Sequence, residues 1–121
     1  VSDTAPTGPH GVVEAHIAAF NAADLPAVMA DIADDAVFSV GDQMAVGARA
    51  IRALFADSFA SPVSARLTVQ RTVVDGDTVA CELTEQLTVE GAAHDIDVAA
   101  FYTVRDDRLV RVRIYRDLPV A

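Results

Sequence analysis

The chain predicts an α+β fold, with helices first and a curved antiparallel sheet after them, the helices covering one face. Three observations predict this class. In the first half, apolar residues recur at helical spacing, as in Val13, Ile17 and Phe20. From Pro62 onward they alternate with polar residues instead, which is the period of a strand. The alternating runs are separated by short segments rich in Asp and Gly, so successive strands are expected to pair as hairpins.

Each element has its own signal. Val12 to Ala22 reads as a helix with His16 beside its apolar stripe. Asp24 is a good N-cap for a second helix, with Pro26 in its first turn and Leu25, Val28, Met29 and Ile32 as its apolar positions. Asp34-Asp35 breaks that pattern, and Val37 to Val40 is a short strand. Gly41 to Gly47 reads as a loop, and Ala48 to Ala60 as a third helix burying Ile51, Leu54, Phe55 and Phe59. Ser61-Pro62 ends it. Four strands follow: Arg66 to Val74, Thr78 to Val89, Asp95 to Val104 and Leu109 to Asp117. A four-residue loop at 90–93 would pair Val89 with His94, Leu87 with Ile96 and Glu85 with Val98, which brings the two apolar faces together.

The bulk properties narrow the class of partner. A length of 121 residues fits one domain with one core, assigned to 11–121 behind a flexible polar lead at 1–10. No apolar run is long enough to span a bilayer, and no signal-peptide pattern opens the sequence, so a cytoplasmic setting is expected. The net charge of −9 argues against nucleic acid and anionic membrane as partners. All nine basic residues are Arg, a bias of high-GC genomes. Cys81 is single and falls on an apolar strand face, where it serves as a small core hydrophobe. His10, His16 and His94 have no metal-ligand spacing, and there is no phosphate-binding Gly loop, serine elbow or CxxC. No metal and no cofactor are therefore expected.

Glu85 is the most informative residue. In Thr78 to Val89 one face reads Val79, Cys81, Leu83, Glu85, Leu87 and Val89, so Glu85 is the only charge on an apolar face. Burying a lone carboxylate costs several kcal/mol, on the order of 3–5, unless something compensates it. It is either a general acid/base with its pKa raised by desolvation, or a carboxylate satisfied by His16, Tyr102, an Arg or water. His16 on the first helix could complete a dyad with it. Tyr102 lies inward on its strand, where it either packs in the core with its hydroxyl satisfied, the favoured reading, or donates to a ligand oxygen. Asp95 and Asp97 alternate outward and could meet Arg111 and Arg113 as a charge ladder or dimer surface.

Val12-Val13-Glu14-Ala15-His16-Ile17-Ala18-Ala19-Phe20-Asn21-Ala22-Ala23-Asp24-Leu25, then Ile32-Ala33-Asp34-Asp35-Ala36-Val37-Phe38 and Gly47-Ala48-Arg49-Ala50-Ile51-Arg52-Ala53-Leu54-Phe55, carry a resemblance. Together with the order of elements over 11–117, they resemble the superfamily of nuclear transport factor two, ketosteroid isomerases, limonene epoxide hydrolases and SnoaL-type polyketide cyclases. The resemblance implies a cystatin-like cone: a curved sheet wrapped around N-terminal helices, enclosing a pocket and often dimerising through the outer sheet face. Residue by residue, the isomerases' oxyanion tyrosine falls at His16, their base at Val40 and their second acid at Ala100. The epoxide hydrolases' tyrosine and asparagine fall at Phe38 and Val40, their arginine at Leu83, and one aspartate at Glu85. Their other aspartate falls at Ile114 without gaps, which strand parity favours. A bulge in the last strand would bring Asp117 to that role instead.

The expected pocket is lined by Phe38, Val40, Phe55, Phe59, Leu83, Val98, Ala100, Val112 and Ile114, with His16, Glu85 and Tyr102 as its chemical groups. It suits a small hydrophobic organic molecule bearing one or two polar groups. The resemblance implies a cofactor-independent cyclase, isomerase, dehydratase or epoxide hydrolase. The alternative is a non-catalytic ligand-binding or accessory homodimer, because Val40, Leu83 and Ala100 are apolar where the relatives carry catalytic groups.

Overall fold

A computed structural model describes residues 8–118 and is an α+β fold with a curved, unclosed six-stranded sheet. Helix α1 runs Gly8–Asn21. It begins earlier than the apolar spacing predicts, because Pro9 suits a first turn and His10 lies 3.1 Å from Glu14 one turn on. Gly8 to His10 are therefore helical rather than part of a lead, and residues 1–7 of that lead lie outside the described residues. Ala23, at φ 52°, ends the helix. The amides of Ala23 and Asp24 donate back to the carbonyls of Phe20 and Ala19, at 2.9 and 3.1 Å.

Helix α2 (Leu25–Ala30) is capped by Asp24, whose carboxylate accepts from the Ala27 amide at 3.2 Å. It stops short of Ile32, which instead opens β1 (Ile32–Val40) and is buried there. The strand is longer than its apolar end predicted, with an irregularity between Ile32 and Val37 where Asp34 and Asp35 lie exposed. The expected loop at 41–47 contains a strand, β2 (Gln43–Val46), which pairs antiparallel with β1. Four residues without alternation at an open edge left no signal to read. Helix α3 spans Ala48–Ala60.

β3 (Ser64–Asp75), β4 (Thr78–Val89), β5 (Ala92–Arg105) and β6 (Arg108–Asp117) form the meander. The sheet order is β2-β1-β6-β5-β4-β3. β1 and β6 are parallel, which makes the sheet mixed, and the other ladders are antiparallel. The β4–β5 register differs from the expected one by two residues: Val89 pairs with Ala92, and Glu85 with Ile96. The turn is the two-residue Glu90-Gly91, at φ 51° and 82°, the left-handed pair that a tight hairpin of this length uses. A shift of two leaves every side chain on its expected face.

β6 does bulge, but at its start. Thr103 pairs with Arg111 and Val104 with Leu109, so Val110 is the extra residue. Leu109 and Val112 are both buried as a result, and downstream alternation carries Ile114 and Arg116 inward and Asp117 outward. The expected ladder between Asp95 or Asp97 and Arg111 or Arg113 does not form. Asp97 lies opposite Asp117, Phe101 opposite Arg113, and Thr103 opposite Arg111.

The core lies between the helices and the inner sheet face, with Val13, Val28 and Ile51 packed against Val79, Tyr102, Leu109 and Val112. α1 is also tied to the sheet edge. The Asn21 side-chain amide donates to the Leu67 carbonyl at 2.9 Å, and its oxygen accepts from the Leu67 amide at 2.8 Å. One side chain thereby does for one residue of β3 what a neighbouring strand would do.

Candidate functional site

Above the core, the helices and the inner sheet face enclose a cavity of about 440 Å³. α1 supplies His16 and Phe20, α3 supplies Leu54 and Phe55, and β1 supplies Phe38 and Val40. The meander supplies Leu67, Leu83, Glu85, Val98, Ala100, Tyr102, Ile114 and Arg116. Exposed Gln43, Asp57 and Ser58 add a polar rim. Two of the expected lining residues lie elsewhere. Val112 is in the closed core, because the bulge sets it beside Leu109. Phe59 stands behind the wall, packed on Phe20 and Phe55 with ring centroids 5.6 and 6.1 Å away. A second hollow, of about 490 Å³, lies against the outward side chains Glu82, Asp97, Tyr115 and Asp117.

One wall of the cavity is aromatic. Phe55 meets Phe38 edge-on at 5.2 Å and His16 at 5.8 Å, and His16 meets Tyr102 at 5.9 Å. Burial in this wall pushes the His16 imidazole down to about 4, so it is neutral at physiological pH. Its Nδ1 is buried with no hydrogen-bond partner among the described residues. Burial also pushes the Tyr102 phenol well above its ordinary range, with a smaller push from Cys81. Tyr102 therefore stays protonated and can donate.

Another part of the lining is polar. Arg116 Nη2 donates to Glu85 Oε2 at 3.0 Å. The two residues are two strands apart: Glu85 pairs with Ile96 and Arg116 with Val98, both on β5. With strands about 4.8 Å apart, the arginine stem crosses β5 to reach across roughly 10 Å of sheet. The Glu85 side chain is only 6% exposed, and the Arg116 side chain, at the mouth, is 38% exposed. The second carboxylate oxygen, Oε1, is buried and unpartnered. The expected His16–Glu85 dyad is absent: no hydrogen bond joins them, and the partner of Glu85 is Arg116.

Arg116 is the residue that the sequence reading missed, although the signal was there. Val112 and Ile114 share the inward face, and one more step of the same period puts Arg116 inward too. Phe20 could have been found the same way, one helical turn beyond His16. Asp117 is exposed on the outer face, so the early bulge does not bring it to the cavity. Among the described residues no group of three His, Cys, Asp or Glu side chains could hold a metal ion, and no helix is long and apolar enough to cross a membrane.

A family model described as a SnoaL-like domain matches residues 13–112. Among solved structures, the chain is similar to an LEH-like epoxide hydrolase of M. tuberculosis. That protein is 28% identical with a TM-score of 0.79, over 88% of this chain and 80% of the other. A polyketide cyclase candidate from Pseudomonas putida is 23% identical with a TM-score of 0.79, over 93% and 94% of the two chains. A hypothetical protein with a ketosteroid isomerase-like fold from Catenulispora acidiphila, in complex with trimethylamine, is 19% identical with a TM-score of 0.79, over 90% and 86%. No curated protein matches the chain in sequence.

Proposed function

The chain belongs to the SnoaL-like family, and on that footing we propose that it is a cofactor-independent enzyme acting by acid/base catalysis on a small, mostly hydrophobic molecule. The observation that carries this reading is Glu85. It is a buried carboxylate with one oxygen held by Arg116 and the other, Oε1, without a partner, in the wall of a cavity. In this reading the unpartnered Oε1 is the acceptor that the cavity offers, and Glu85 serves as the base. It takes a proton from a substrate C–H or O–H. The electron pair left behind moves onto a substrate oxygen, where protonated Tyr102 and neutral His16 stabilise it by donating. The proton returns at the end of the cycle, so no oxidant and no cofactor are required. Cyclisation, isomerisation and dehydration begin with this step. In epoxide opening Glu85 would take the proton from water instead; the hydroxide oxygen forms a C–O bond as a ring C–O bond breaks, Tyr102 gives its proton to the alkoxide, and the proton on Glu85 restores Tyr102. The epoxide hydrolase similarity weighs toward this last reaction.

The test is a panel of terpenoid-like epoxides and enolisable polycarbonyl compounds, with products followed by mass spectrometry. Turnover is expected to fall about 100-fold or more in Glu85→Gln. Unchanged turnover in that variant would remove Glu85 from the mechanism. A second reading, a non-catalytic ligand-binding protein, is favoured by the apolar Val40, Leu83 and Ala100 in the lining. Saturable binding of a panel compound without chemical change would establish that reading instead.

The same proposal includes a homodimer through the outer sheet face. Phe101 and Tyr115 are 45% and 48% exposed there, with ring centroids 6.1 Å apart, and Arg113 lies 5.2 Å over the Tyr115 ring. Asp97 and Asp117 stand at one end of this patch, and Arg111 and Arg113 toward the other. A two-fold axis between the Tyr115 and Phe101 rows would lay each acidic end on the other copy's arginines.

A further inference from the structure

We propose that the ligand of this cavity presents a hydrogen-bond donor and an acceptor side by side on an uncharged group: a carboxamide, a lactam, a hydroxy ketone or an undissociated acid. The donor would meet Glu85 Oε1, and the acceptor would meet the unused N–H groups of Arg116. The inference rests on the reading that the cavity holds an organic ligand and adds which polar edge that ligand carries.

The geometry of the ion pair points to it. A guanidinium and a carboxylate frequently pair as a fork, with two N–H groups on two oxygens. Here the contact is single, from Arg116 Nη2 to Glu85 Oε2. It leaves Oε1 unpartnered on a side chain only 6% exposed, where an unmet acceptor is costly. Of the five N–H donors of Arg116, the other four have no partner among the described residues, and its side chain is 38% exposed at the mouth. An acceptor and a set of donors thus lie next to one another, on two side chains that line the cavity. Their complement has the reverse order, donor beside acceptor.

Charge decides between a neutral and an anionic ligand. Glu85 and Arg116 cancel, His16 is neutral, and Asp57 adds a negative charge at the rim. A carboxylate ligand would face Oε1 as one acceptor against another. A neutral group with both polarities meets each partner correctly.

Four small probes separate these cases: benzamide (donor beside acceptor), acetophenone (acceptor only), phenol (one hydroxyl) and benzoate (anion). Binding is read from NMR shifts of the Leu83 and Val98 methyl groups. Benzamide is expected to bind about tenfold or more tightly than acetophenone, phenol or benzoate. Glu85→Gln keeps the shape; Arg116 holds the remaining side-chain oxygen, which turns the amide NH2 to the cavity in place of Oε1, so benzamide weakens while acetophenone gains. A role confined to packing would not produce that reversal. Arg116→Lys keeps a countercharge for Glu85 but not the planar set of donors, and the advantage of benzamide shrinks. Equal affinities, or benzoate as the tightest probe, would overturn the inference and leave the cavity as a ligand site. Absence of methyl shifts with every probe would overturn both.

Discussion

Glu85 and Arg116 stabilise the fold as a pair, so removing one is worse than removing both. Arg116→Met leaves a buried carboxylate without its counter-ion. Because the arginine is partly solvated, the expected loss is about 1–3 kcal/mol, at the low end for a broken buried pair. The double variant Glu85→Leu with Arg116→Met should recover most of it, since it leaves no charge to compensate. Urea unfolding of the three proteins checks this, and a double variant weaker than the single one would contradict it. His16 makes a separate prediction about pH. Its folded-state pKa lies near 4, against 6.5 for the unperturbed group. As pH falls, protons bind the unfolded chain first. The His16 contribution is therefore complete above about 6.5, declines between about 6.5 and 4, and is lost below that, for roughly 3 kcal/mol in all. Carboxylates titrate in the lower part of this window too, so the measurement is the difference between wild type and His16→Gln. That difference should narrow by this amount on acidification, and two parallel curves would refute the assignment.

The elements show which parts of the molecule are legible in the sequence. The long strands announce themselves by alternation, and their faces follow it, Glu85 included, except at the start of β6, where the bulge at Val110 puts Leu109 rather than Val110 in the core. The β4–β5 register did not, because Glu90 adopts φ 51° in a two-residue turn where a longer loop was expected. Side-chain period is blind to a shift of two. β2 was invisible for another reason: of its four residues on an open edge only Ala45 is half-buried, too little to mark an inner face. Inward placement is legible where it depends on one strand at a time, as with Tyr102 and Ala100. The Glu85–Arg116 contact was not, since it spans three strands and depends on how far a flexible side chain reaches. The Asn21 clamp on β3 was equally unreadable, joining residues 46 positions apart through side-chain amide and backbone. Asn21→Ala should cost about 1–2 kcal/mol for its two hydrogen bonds. The Leu67 amide should exchange with solvent at least tenfold faster, and unchanged exchange there would show the clamp to be unimportant.

On the scale of the whole molecule, the outer sheet face and the inner cavity share the same strands. The proposed dimer predicts that Phe101→Glu yields monomers in sedimentation while leaving the fold intact by circular dichroism, since Phe101 points away from the core. A dimer that persists in that variant would place the contact elsewhere. The parallel ladder has a further consequence. β1 pairs with β6, so a strand near the start of the described chain waits for one near its end. During synthesis, β3, β4 and β5 can pair with one another as they emerge, because each contact is local. β1 can pair at once with β2, but its ladder with β6 cannot form, and Glu85 cannot meet its arginine, until β6 is out of the ribosome. The cavity and its charge pair are thus completed by the same late event that closes the sheet, and a nascent chain stalled before Arg108 holds Glu85 open to water.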